Sequence, residues 1–129
     1  MIVGIGIDIV EVERVRRAAE RGGERFLARV FTEGELAFRA DSRHVWEHRA
    51  ARFAAKEAVM KAVGVGWGTG LGWRDIEVAR RTGEPPRVVL HGKAEDAARA
   101  LGVRRIWLTL AHDRRYAVAQ VLLEGGEGP

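Results

Sequence analysis

Residues 2–10 read Ile-Val-Gly-Ile-Gly-Ile-Asp-Ile-Val, and this alternation constrains the chain more than any other stretch. Ile5, Ile7 and Ile9 share one parity, and Gly4, Gly6 and Asp8 share the other. A strand sends successive side chains to opposite faces, so one face is bulky and apolar and the other is bare backbone ending in a carboxylate. Glycine inside a strand marks either close approach by a ligand or another backbone, or a bend in a twisted sheet.

The rest of the chain supplies helices and further strands. Glu11 and Glu13 suit the positive start of a helix, with Val12, Val15 and Ala19 as its apolar stripe and Arg14, Arg17 and Arg21 on another face. Gly22-Gly23 interrupts it, and a short segment with Phe26, Leu27 and Val30 follows. Thr32-Glu33-Gly34-Glu35 fits a capping box opening another turn or two. Residues 43–63 carry the strongest helical pattern: Trp46, Phe53 and Met60 fall on one line with Ala50 and Ala54 beside it. Glu57 and Lys61 lie on one flank of that line, Arg49, Arg52 and Lys56 on the other, and Gly64 ends the helix. Five glycines in residues 64–73 read as a loop. Residues 74–81 and 87–91 read as strands joined through Gly83-Glu84-Pro85-Pro86, residues 93–101 as a small helix, and residues 105–112 and 116–124 as a hairpin around Asp113-Arg114-Arg115. Sheet and helices segregate, which gives α+β with a mainly antiparallel sheet. The 129 residues make one domain, 1–124, followed by a Gly-rich tail, 125–129, expected to be flexible.

Composition excludes several function classes. There is no Cys and no HExxH, so a zinc site lacks support. No GxSxG occurs. No apolar run reaches the ~20 residues of a membrane span, and the start carries Asp8 and no basic leader, so a cytoplasmic protein is expected. The chain is basic, 22 Lys+Arg against 18 Asp+Glu, which points to an acidic partner. Each half of the chain, split at Ala62, carries +2, so there is no nucleic-acid-binding arm. A small basic RNA-binding module is the competing class, but aromatic residues are only 7%, and Trp107 has no adjacent Phe or Tyr of an RNP motif. Of 22 basic residues only Lys56, Lys61 and Lys93 are lysine, so two lysines within six residues stand out.

Glu57 and Lys61 are an i, i+4 pair. Either they form an exposed ion pair worth ~0.3–0.5 kcal/mol, or a carboxylate and an ammonium beside a glycine loop jointly hold a metal-bound phosphate. Gly64-x-Gly66-x-Gly68 follows a helix end and opens no helix, so it is neither a P-loop nor a dinucleotide fingerprint, although its N–H groups could form an anion nest.

Taken together, Gly4-Ile5-Gly6-Ile7-Asp8-Ile9, Arg52-Phe53-Ala54-Ala55-Lys56-Glu57-Ala58 with Lys61-Ala62, Asp75-Ile76-Glu77-Val78 with Gly83-x-Pro85, and Leu110-Ala111-His112 with Tyr116-Ala117-Val118-Ala119-Gln120 resemble the holo-(acyl carrier protein) synthases, the small bacterial phosphopantetheinyl transferases. The resemblance runs over residues 1–124 and implies the phosphopantetheinyl transferase fold. It implies a role in fatty acid biosynthesis: transfer of the phosphopantetheine arm of coenzyme A to a serine of apo acyl carrier protein, with Mg²⁺ as cofactor. Asp8 and Glu57 would be the metal ligands and, with Lys61, the catalytic residues. Arg52, Lys61, Gly64, Gly66, Pro85 and His112 would bind coenzyme A, and Arg14, Arg21, Arg25 and Phe26 would dock the carrier protein. The resemblance also implies a homotrimer with sites between subunits. A trimeric scaffold without chemistry is a third reading, which intact Asp8, Glu57 and Lys61 oppose. The chain departs from the family at Ala111, where a hydroxyl residue is usual (Thr109 keeps the earlier one), at Val65, where Thr is frequent, and at Glu84, where Lys is usual.

Overall fold

The computed structural model describes residues 1–64 and 70–126. Five strands and four helices follow in the order β1 (Ile2–Glu11), α1 (Val12–Val30), α2 (Glu33–Ala37), α3 (Val45–Val63), β2 (Ile76–Ala79), β3 (Arg87–Leu90), α4 (Gly92–Ala100), β4 (Val103–His112) and β5 (Tyr116–Gly125). Pairing is antiparallel throughout, as the α+β reading expects, but it makes two sheets: β1-β5-β4 and β2-β3.

The glycine face of β1 takes close approach by another backbone. α3 crosses it so tightly that a Cβ on Gly6 would collide with the Ala58 carbonyl oxygen, and one on Gly4 with that of Ala62. α3 answers with small residues: Ala50, Ala51, Ala54, Ala55, Ala58 and Ala62 are all buried. The inward residues of β5, Ala117, Ala119, Val121 and Leu123, are wholly buried beneath it. α3 is thus a central helix, enclosed on several sides. For that reason Arg52 and Lys56, which spacing places on a basic flank, are buried side chains.

α1 is two helical segments that meet at a kink at Gly23, the interruption expected from Gly22-Gly23; its φ of 60° lies in the left-handed region that favours glycine. The capping box of α2 forms as read: Thr32 Oγ1 accepts from the Glu35 N–H at 3.2 Å and Glu35 Oε1 accepts from the Thr32 N–H at 2.9 Å. The same Glu35 does more than cap. Its Oε2 accepts from the Val78 N–H at 2.8 Å, and its Oε1 lies 2.8 Å from Lys56 Nζ. Lys56 Nζ also donates to the carbonyls of Trp73, at 3.1 Å, and Ile76. One buried ion pair thereby ties α2, α3 and the start of β2 together. Burial pushes the Lys56 ammonium pKa down, and Glu35 opposes the shift.

Gly125 closes β5, its N–H donating to the Met1 carbonyl at 2.7 Å, and the Gly126 N–H donates to the Gly102 carbonyl at 3.2 Å.

Candidate active site

β1 and α3 bring the first constellation together. Asp8 follows Gly4 and Gly6 on the strand face that α3 covers. Lys61 Nζ reaches across to donate to Asp8 Oδ1 at 2.9 Å and to the Ile7 carbonyl at 3.0 Å. Glu57 lies one helical turn before Lys61, on the same side of α3. An ammonium and a carboxylate therefore meet where β1 passes the C-terminal half of α3, with Glu57 one turn away on the helix. Gly64 caps that helix in the left-handed region, φ 74°. Gly66 lies outside the described residues.

The donor set fits a hard cation in a particular way. Among the described residues no group of three or more His, Asp or Glu gathers. A cation beside Asp8 and Glu57 would take one or two carboxylates and fill its remaining positions with phosphate oxygens and water, which is the habit of Mg²⁺.

A second constellation lies on the other flank of α3. A pocket of about 420 Å³ is lined by His48, Arg52, Arg80, Pro85, Thr109 and His112 among others. Of the expected coenzyme A residues it collects Arg52, Pro85 and His112. Spacing singled out neither His48 nor Arg80; the available signal was that His48 lies one turn before Arg52 and that Arg80 precedes the Gly-Glu-Pro-Pro turn. Cations crowd this wall. The guanidinium carbons of Arg52, Arg39 and Arg80 lie 3.9, 5.3 and 5.8 Å from the Phe38 ring centroid. Arg52 is 2% exposed, and its buried Nε has no hydrogen-bond partner among the described residues. Burial, partly offset by Glu35, lowers its pKa to about 10. Such a wall attracts an anion, and a guanidinium fork suits phosphate.

The two constellations are separate within one chain. Arg52 and Lys61 are nine residues apart on α3, so they leave it about half a turn apart and about 14 Å along the axis. Asp8 sits on β1 and His112 on β4, with β5 between them, a spacing of about 10 Å across the sheet.

A third feature is a cleft of about 240 Å³ between α1 and α3, lined by Val10, Arg14, Val15, Ala18, Arg21, Phe26 and Phe53. Arg14, Arg21 and Phe26 meet there as expected; Arg25 is exposed on α1 and does not line it. An apolar floor with two arginines at the rim fits an acidic helix bearing an apolar side chain.

Known proteins share both sequence and fold with this chain. Residues 4–121 match the 4'-phosphopantetheinyl transferase superfamily. The holo-[acyl-carrier-protein] synthase of Koribacter versatilis is 49% identical over 124 residues, 96% of this chain and 99% of that protein. The crystal structure of the Neisseria meningitidis holo-[acyl-carrier-protein] synthase superposes with a TM-score of 0.84 at 31% identity, covering 96% of this chain and 99% of that one. That of the Bacillus anthracis synthase, in complex with CoA (3',5'-ADP), gives 0.78 at 35% identity over 98% and 99%. With Asp8, Lys61 and the arginine pocket lying on a shared backbone, the chain belongs to the 4'-phosphopantetheinyl transferase superfamily, among the holo-[acyl-carrier-protein] synthases.

Proposed function

We propose that this protein transfers 4'-phosphopantetheine from coenzyme A to a serine of apo acyl carrier protein. The contact that carries the reading is Lys61 Nζ on Asp8 Oδ1, one helical turn from Glu57. The serine oxygen attacks the phosphorus that bears pantetheine. A new P–O bond forms, the bond to the bridging oxygen breaks, and adenosine 3',5'-bisphosphate leaves. The serine proton passes to Glu57, or to water hydrogen-bonded to Asp8. Asp8 and Glu57 would hold Mg²⁺, which when bound supplies charge neutralisation on the diphosphate. Lys61 adds a compact positive charge at the phosphorus under attack. Gly64, which ends α3, lets the chain turn away beside the same diphosphate. Arg52 and His112, with Pro85 beside them, hold the phosphate at the nucleotide end, and Arg14, Arg21 and Phe26 receive the acidic carrier helix, with Arg25 steering at its edge. Positioning and electrostatics account for most of phosphoryl-transfer catalysis, which suits a site with so few reacting groups.

The protein works as a cytoplasmic homotrimer in this reading. On the outer face of the three-stranded sheet Ile5, Ile7 and Ile9 are 60%, 58% and 62% exposed, and Trp107 on β4 shares that face with Leu122 of β5 between it and Ile5. A contiguous apolar sheet face of this kind seeks a partner, and further copies of the chain would cover it.

The test is a mass measurement. Apo acyl carrier protein incubated with the protein, Mg²⁺ and coenzyme A should gain one phosphopantetheine group. Glu57→Ala or chelation should lower the rate at least 100-fold, as expected for loss of several kcal/mol of transition-state stabilisation. An unmodified carrier with the wild-type protein would refute the assignment.

A further inference from the structure

The pocket holds two imidazoles, and only His112 has a role in the reaction as proposed so far. His48 projects from α3 one turn before Arg52. Its ring stands edge-on to His112, with centroids 5.3 Å apart, and edge-on to Phe38 at 5.4 Å. It lines the same cavity as Arg52, Arg80, Thr109 and His112. The charged groups around it come from every neighbouring element: Glu47 and Arg52 from α3, Arg39 from the segment after α2, His112 from the end of β4, and Arg80 from the turn after β2.

We propose that His48 is a second phosphate-binding imidazole, which takes up a proton when a phosphate monoester dianion fills the pocket and so makes the protein prefer 3'-phosphorylated coenzyme A increasingly as pH falls. The inference rests on the reading of this pocket as the seat of the nucleotide-end phosphate.

The physical case has three steps. Burial first, then His112, Arg39 and Arg52, lower the His48 pKa to about 4, and Glu47 only partly offsets them. In the free protein the ring is therefore neutral from pH 6 to 8. A dianion placed against Arg52 and His112 offsets the positive field of the arginines, and opposite charge within ~4–6 Å favours the protonated form. A group whose pKa is raised by a ligand binds a proton with it. Its contribution to affinity is absent above the pKa of the complex and grows as pH falls toward the pKa of the free protein. The ligand must carry the monoester, because that is the group this pocket is read as holding, whereas the diphosphate belongs to the Asp8–Lys61 constellation.

Calorimetric titration with coenzyme A and with 3'-dephospho-coenzyme A tests this, on wild type and His48→Phe, at pH 6 and pH 8. Phenylalanine keeps an aromatic ring against Phe38 and His112 and removes only the ionisable nitrogens. For coenzyme A the deficit of the variant should grow from less than twofold at pH 8 to about fivefold at pH 6, as a complex pKa between 6 and 7 requires. For 3'-dephospho-coenzyme A no such growth is expected. The titration of the ligand's own phosphate, pKa ~6, is common to both proteins and cancels in their ratio. An equal deficit at both pH values, or none at either, overturns the proposal. A second measurement needs no variant: the imidazole ¹⁵N shifts of His48 at pH 6 should move from neutral to protonated values on saturation with coenzyme A, and a ring that stays neutral refutes it. If wild type binds neither ligand at any pH, or binds both equally, the reading of the pocket itself falls, and the His48 inference with it.

Discussion

Lys56 and Glu35 show what a single buried charge pair can organise. Both side chains are inaccessible to solvent. Glu35 accepts from the Thr32 and Val78 N–H groups and from Lys56, while Lys56 also satisfies the Trp73 and Ile76 carbonyls. Removing the ammonium strands a carboxylate and two carbonyls in the core. Lys56→Met should therefore cost about 3–5 kcal/mol, read from the denaturant midpoint at unchanged slope. Replacing both partners with apolar residues should not restore the loss, because the N–H groups that Glu35 satisfies would remain unpaired; full recovery in the double variant would contradict this network. Half of this arrangement was legible in the sequence. Thr32-x-x-Glu35 announces a capping box, since its partners are three residues apart. The spare oxygen of Glu35 finds Val78 across 43 positions, and no local spacing encodes that distance. Likewise, Arg52 and Lys56 look like a solvated stripe because helical periodicity reports which residues share a side, not what is packed against it.

At the scale of elements, the junction of β1 and α3 sets the geometry of the proposed catalytic site. Contact between the Gly4–Gly6 backbone and the Ala58 and Ala62 carbonyls is what lets Lys61 reach Asp8. A side chain there must displace backbone, which cannot yield as a flexible side chain does. Gly6→Ala should lower stability by about 3 kcal/mol or more, and transferase activity should fall further than the loss of folded protein explains, because the Asp8–Lys61 contact shifts with the helix. Gly34→Ala is the matched control. Its Cβ would meet nothing closer than Glu77 Oε2 at 3.5 Å, so the change should be neutral or stabilise by about 0.5 kcal/mol. Equal effects in the two variants would show that the close approach of α3 does not govern β1. The alternation of glycines on β1 is legible in the sequence but leaves a ligand, another backbone or a bend open; the backbone of α3 is what lies against them, because Ala58 and Ala62 have no bulk to hold it away.

At the scale of the whole molecule, the separation of the two constellations decides how many chains make one site. Asp8, Glu57 and Lys61 lie toward the β1 edge of the sheet, and Arg52, Pro85 and His112 toward the β4 edge. A coenzyme A molecule that places its diphosphate at Lys61 and its nucleotide phosphate at His112 would have to pass around α3 within one chain. Between two chains of a cyclic trimer it need only bridge the β1 edge of one and the β4 edge of the next, a head-to-tail contact that closes into a ring. This makes complementation a direct test. In the proposed trimer Glu57→Ala would damage one half of the site and His112→Glu the other, and each variant alone should be nearly inactive. Unfolded together and refolded at equal ratio, random cyclic trimers contain two intact halves at about one interface in four, so activity should return to about a quarter of wild type. If each chain carried a complete site, no mixed trimer would hold an intact one, and the mixture would stay as inactive as its parents. A monomeric protein, measured by light scattering at micromolar concentration, would exclude the shared site before any mixing was done.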